Sequence, residues 1–166
     1  RAAFSGAPGL VVATGEEAIE ITSDTDLALR GDVFDIARAA LAAEPDRGSL
    51  RVRIDFDTEI PFGSGIAGST ALLTAIVRGL AAWRGETPSL YELAERVRRT
   101  EREGLGVACG WVDSYLCSFG GLRCVERWCP SAAQARRSDT DNVCFTCSTQ
   151  ARRRAGLRSF PRRLPA

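Results

Sequence analysis

The chain has 166 residues, 45% of them hydrophobic and 26% charged, enough for the core of one ordinary domain. All 22 basic residues are Arg, with no His, Lys or Met, which excludes a His-based triad, a His metal site and the Lys of a P-loop and suggests a GC-rich gene. No apolar run approaches a membrane span, since the longest, residues 71–77, stops at Arg78, and no segment resembles a signal peptide, so a cytoplasmic protein is expected.

Residues 11–13 and 18–21 read as two short strands with Gly15 at the turn between them, a hairpin. Gly31 and Asp32 then open a helix. Its apolar positions Val33, Ile36, Ala37, Ala40 and Leu41 follow the spacing of one buried face, with Asp32 as N-cap and Asp35 favouring the dipole. Residues 51–57 alternate, so Val52, Ile54 and Phe56 share one side of a half-exposed antiparallel strand and the charges the other. The strand runs into a glycine-rich loop and then a helix over 67–83 that is apolar nearly all round, which predicts a central position. Ser89 and Glu92 form a capping box for a further helix, with Leu90, Leu93, Ala94 and Val97 inward and Glu101 and Glu103 at its end.

The loop is the most informative segment. Pro61, Gly63, Ser64, Gly65, Ile66, Ala67, Gly68, Ser69 and Thr70 join three glycines to the start of the apolar helix. Glycines permit positive φ and close backbone approach, and a helix start offers unpaired N–H groups and a positive dipole end, so the segment predicts a di- or triphosphate site. Gly63, Gly65 and Gly68 also fit the dinucleotide spacing. Pro61 ahead of the glycines and the lack of an acidic residue about twenty positions later argue against that use. A plain strand-to-helix turn is the alternative reading.

From Glu101 to Leu122 the chain carries a second constellation, Glu-Arg-Glu-Gly-Leu-Gly followed by Asp113 and the pair Gly120, Gly121. Together, in this order, the two segments resemble the GHMP kinases, and look closest to the heptose and glucuronic acid kinases. Residues 61–71 are similar to that family's motif Pro-x-Gly-x-Gly-Leu-Gly-Ser-Ser-Ala. The resemblance implies an α/β fold of α+β two-layer type, an incomplete left-handed βαβ kinase domain with helices on one face of a mostly antiparallel sheet. It implies ATP in the loop, Mg²⁺ on Ser69 and Glu101, and Asp113 orienting or deprotonating the hydroxyl of a small sugar-like acceptor, with neither nucleic acid nor membrane as partner. That set suits phosphoryl transfer, which needs charge neutralisation and alignment more than covalent chemistry. Read alone, Asp113 is a capping carboxylate and Ser69 a polar residue of the first helical turn; the spacing from Glu101 through Asp113 to Gly120 and Gly121 favours the chemical roles. Glu103 reads as a solvated charge.

Ala67 and Gly68 depart from the family's Gly and first Ser, and Cys109 stands where some relatives have Ser. The resemblance covers residues 1–122, a partial nucleotide-binding domain without the family's amino-terminal motif. Residues 123–166 differ in composition: they hold 10 Arg against three acids, whereas 1–122 hold 12 Arg against 18 acids. Cys124, Cys129, Cys144 and Cys147 also fall in this tail, with the outline of a four-thiolate zinc site in a basic, nucleic-acid-binding module. The preferred expectation is a disordered tail, encoded after the reading frame departs just past Leu122. Two alternatives to a working kinase fragment stay open, an inactive remnant and the zinc module.

Overall fold

The alternating segment becomes strand β4 (Val52–Phe56) of a four-stranded sheet in the computed structural model, which describes residues 1–61, 64–121, 123–127 and 143–147. The strands β1 (Ala2–Gly6), β2 (Leu10–Thr14) and β3 (Glu17–Ile21) complete it in the order β1-β4-β2-β3. β2 and β3 form the expected hairpin, Thr14 opposite Glu17, with Gly15 in the left-handed region at φ 58°. β4 is antiparallel to β1 but parallel to β2, with Val12 opposite Ile54, so the sheet is mixed and β4 interior to it. Period-two alternation alone cannot distinguish those two partners.

Val12, Val52, Ile54 and Phe56 turn one face of the sheet into the core, while on the other face of β4 Arg53 bonds Asp55 at 2.9 Å. Four helices follow in chain order: α1 (Asp35–Ala42), α2 (Gly68–Trp83), α3 (Leu90–Arg99) and α4 (Val112–Phe119). α2 is central as expected, packing against the other three helices and against β1 and β4. Leu73, Ile76 and Leu80 on it are completely buried, each contributing about 1.5–3 kcal/mol relative to exposure. Gly79 lets α2 lie against the edge strand, because a Cβ there would fall 1.9 Å from the Phe4 ring.

α1 starts two residues later than its apolar spacing predicts, and Asp32 is not its N-cap. The Asp32 carboxylate accepts from Phe34 N at 2.9 Å, and Asp35 accepts from Arg30 N and Gly31 N. These bonds hold residues 30–34 in a turn that competes with helix, and they leave Val33 40% exposed. In α3 the capping box forms as predicted, with Glu92 N donating to Ser89 Oγ and Ser89 N to Glu92. Leu93, Ala94 and Val97 are buried, but Leu90, in the first turn, is exposed.

Residues Arg1–Phe119 form one compact unit, and a second begins at Gly120. Gly120 and Gly121, at φ 61° and 68°, make the expected bend ahead of the next strand. The second unit holds β5 (Arg123–Arg127) paired antiparallel with β6 (Val143–Cys147). This ladder falls within the tail expected to be disordered, the rest of which lies outside the described residues.

Candidate functional site

β4 ends at Phe56, and the chain crosses from it to the mouth of α2 through the glycine-rich loop. There Ser64 N donates to Pro61 O at 3.3 Å, and Gly65 sits at φ 71°. Ala67, the residue before the helix, is also left-handed at φ 58°, with no side-chain cap on the helix start. Amides of the first turn are therefore not claimed by a capping group. Gly63, a member of the predicted cradle, lies outside the described residues.

This loop forms one wall of a cleft of about 330 Å³, lined by Thr58, Ile60, Pro61, Ser64, Gly65, Ala67, Gly68, Ser69 and Asp113. The structure thus brings Asp113, in the first turn of α4, to the same cleft as the helix mouth 44 positions upstream. α4 is pinned for this by its buried face. Tyr115 donates to Glu95 of α3 at 2.8 Å and stacks on Phe119, and Arg98 lies over the Trp111 ring just ahead of the helix. Burial first, and then the Glu95 carboxylate, raise the Tyr115 phenol pKa, so it stays a donor at neutral pH.

Glu101 is placed differently from Ser69. α3 ends in a π turn, Thr100–Gly104, in which Leu105 N reaches back to Thr100 O. Such wide turns are enriched at functional sites. In that turn Glu101 is only 5% exposed. One carboxylate oxygen, Oε1, accepts from the Thr70 hydroxyl at 2.5 Å, and the other, Oε2, is buried with no hydrogen-bond partner. Ser69, the partner the resemblance gives Glu101, is instead exposed in the cleft. Glu103 is solvated, as predicted.

Two free thiols flank this group. Cys109 packs on Arg98 O and is raised in pKa, first by burial and then by Glu101; Cys117 lies 4.0 Å from Ala67 O and is raised by burial, then by Asp113 and Glu101. Neither thiol is activated as a nucleophile. Among the described residues no group of three or more Cys, Asp or Glu is placed to hold a metal, and Cys129 of the four-thiolate pattern lies outside them. No helix among the described residues is long and apolar enough to cross a membrane.

Against known proteins, the sequence profile described as GHMP kinases N terminal domain matches residues 33–121. The chain belongs to the GHMP kinases. It is 35% identical over 95 residues to D-glycero-alpha-D-manno-heptose 7-phosphate kinase of Campylobacter jejuni, covering 57% of this chain and 28% of that protein. It is 27% identical over 123 residues to mevalonate kinase of Pyrococcus furiosus, covering 72% of this chain and 36% of that protein. It therefore spans about a third of the length of these relatives. A crystal structure of a D-glycero-D-manno-heptose 1-phosphate kinase from Bacteroides thetaiotaomicron superposes with a TM-score of 0.58 at 18% identity, over 74% of this chain and 42% of that one. The expected fold, a GHMP kinase amino-terminal domain in incomplete form, is borne out.

The loop's departures from the GHMP kinase motif have local physical consequences. At Gly68, where the motif has Ser, Ile60 lies so close that an added Cβ would stand 2.6 Å from its Cγ2. Ala67 replaces a Gly at the left-handed position, a conformation that costs a side-chain-bearing residue about 1–2 kcal/mol. Ala67→Gly should relieve that strain and return part of it as unfolded-state entropy, for a net gain of roughly 0.5–1 kcal/mol. A urea unfolding midpoint no higher than that of the parent chain would contradict the strain.

Proposed function

We propose that this chain is the nucleotide-binding part of an ATP-dependent small-molecule kinase that transfers a phosphoryl group to a hydroxyl of a sugar or sugar acid. The observation that carries the reading is the shared cleft, in which an exposed carboxylate, Asp113, faces a glycine loop and an uncapped helix mouth. The backbone of Gly65 to Ser69, with Pro61, Gly63 and Ser64 ahead of it, would cradle the polyphosphate against the positive end of α2. Asp113 would accept the proton of the acceptor hydroxyl and hold its oxygen in line. The names of the relatives, heptose and mevalonate kinases, support a hydroxylated metabolite as the acceptor.

The residues present fit Mg²⁺. A hard cation takes oxygen ligands, and the buried Glu101 Oε2 is a carboxylate oxygen without a partner, with the Ser69 and Thr70 hydroxyls at the adjoining helix start. When bound, the cation would neutralise charge on the phosphates. The chain's own contribution is to orient: Ser69 and Glu101 supply oxygens, the loop amides fix the polyphosphate, and Asp113 manages one proton.

The test separates binding from chemistry. Mg·ATP should raise the melting temperature of the full chain, and Ser69→Ala should weaken that shift. Asp113→Asn should keep the shift while acceptor-dependent ADP release falls about 100- to 10,000-fold. A melt indifferent to millimolar Mg·ATP would overturn the reading.

A further inference from the structure

We propose that Thr70 is a positioning residue for Glu101: its hydroxyl holds Oε1 and thereby reserves Oε2 for a divalent cation. The inference rests on the kinase reading above and adds to it a residue outside the Ser69–Glu101–Asp113 set. In a helix, a Thr hydroxyl ordinarily bonds back to the carbonyl three or four residues earlier. Thr74, one turn on, does so, donating to Thr70 O at 2.7 Å. Thr70 itself is buried and donates instead to a carboxylate 31 positions away, across the gap between α2 and the π turn. That donation selects one Thr rotamer and fixes one carboxylate oxygen.

What remains is expensive unless it is used. Glu101 makes no ion pair among the described residues, and a buried carboxylate costs several kcal/mol that one hydroxyl and the weakly donating thiol of Cys109 beside it do not offset. A purely structural cross-link between α2 and the π turn would need no charge; a Gln would accept the same hydrogen bond. An anion held on one oxygen and bare on the other, behind the mouth of a predicted phosphate site, has the asymmetry of a ligand whose support is already in place. Ser69 is exposed on the cleft side, so the two neighbouring hydroxyls divide the work: one faces the ligand, the other holds the carboxylate.

The experiment uses the full chain at a fixed saturating ATP concentration, with Mg²⁺ titrated and the melting midpoint as readout, and Mn²⁺ binding followed independently by loss of the free-ion EPR signal. Thr70→Ser, which keeps the hydroxyl, should match the parent half-saturation. Thr70→Val, of the same shape without a donor, should raise it about 10- to 100-fold. A folded Thr70→Val with the parent's half-saturation for both metals overturns the proposal. If Thr70→Val fails to fold, Thr70→Cys, a weaker donor of similar size, takes its place: a raised half-saturation supports the positioning role and an unchanged one overturns it. A parent chain whose melt shows no cation-dependent response to ATP sinks the kinase reading itself, a different outcome from a parent that responds and a variant that responds equally.

Discussion

Arg38→Met should cost about 3 kcal/mol and lower the melting midpoint by roughly 10 °C or more, although Arg38 touches no part of the cleft. Its side chain is 1% exposed at the middle of α1. It bonds Asp35 at 2.7 Å and Asp32 at 2.5 Å, and its guanidinium lies 5.8 Å from the Phe34 ring centre. Removing it leaves two carboxylates close together, one of them only 15% exposed, and takes away the bond that joins Asp32 to the helix. The loss is transmitted toward the site, because α1 packs on the π turn that carries Glu101, with Ala39 Cβ 3.1 Å from where a Gly104 Cβ would be.

The same pair gives the prediction a pH signature. Asp32 is held below the usual carboxylate range chiefly by the Arg38 hydrogen bond. Burial alone would raise Asp35, but the bonds from Arg30 N, Arg38 and Gly31 N outweigh it and bring it below the usual range too. Carboxyls with depressed folded-state values stabilise the fold above their unfolded pKa, about 4, and that contribution fades as pH falls through the folded value. The gap between the parent chain and Arg38→Met should therefore be full at pH 7 and shrink below about pH 4. A gap that is constant from pH 7 to pH 3 would mean that lost packing, rather than the ion pairs, accounts for the destabilisation.

Much of this arrangement was readable before any coordinates, and the parts that were not have identifiable causes. The alternation around Ile54, the capping box at Ser89 and the apolar surround of α2 are local signals, and each became the element it predicts. Strand β1 has no local signature, since Ala2, Ala3, Ser5 and Gly6 carry no pattern; it exists because β4 offers it an edge and Gly79 lets α2 approach Phe4. The start of α1 departs from its apolar spacing because Asp32 and Asp35 cap a turn rather than a helix. At the candidate site, the motif points to the glycines and Asp113, which share one cleft, but no motif gives the environment of Glu101. A sequence signal for it existed: Glu101 follows Ala94 and Val97 at seven and four residues, on the stripe that faces the core, where a charged residue needs a reason. The Thr70 hydroxyl that meets it depends on a contact 31 residues apart, which no local rule encodes.

Glu101→Gln should separate stability from ligand response in a way that few surface substitutions could. The amide keeps an acceptor for Thr70 and nearly the same volume, but removes a charge that is buried with one oxygen unpartnered. Without ligand, the variant should melt no lower than the parent chain and is expected to be about 1 kcal/mol more stable, since relief of desolvation outweighs a changed hydrogen bond. With ATP and Mg²⁺ at about a hundred times their dissociation constants, the parent should gain roughly 2.7 kcal/mol and the variant a small fraction of it. Such opposite signs are the mark of a residue kept for binding at the expense of the fold. A Glu101→Gln chain that is less stable than the parent and still responds fully to Mg·ATP would make Glu101 a structural link between α2 and the π turn, and would remove the carboxylate from the proposed cation site.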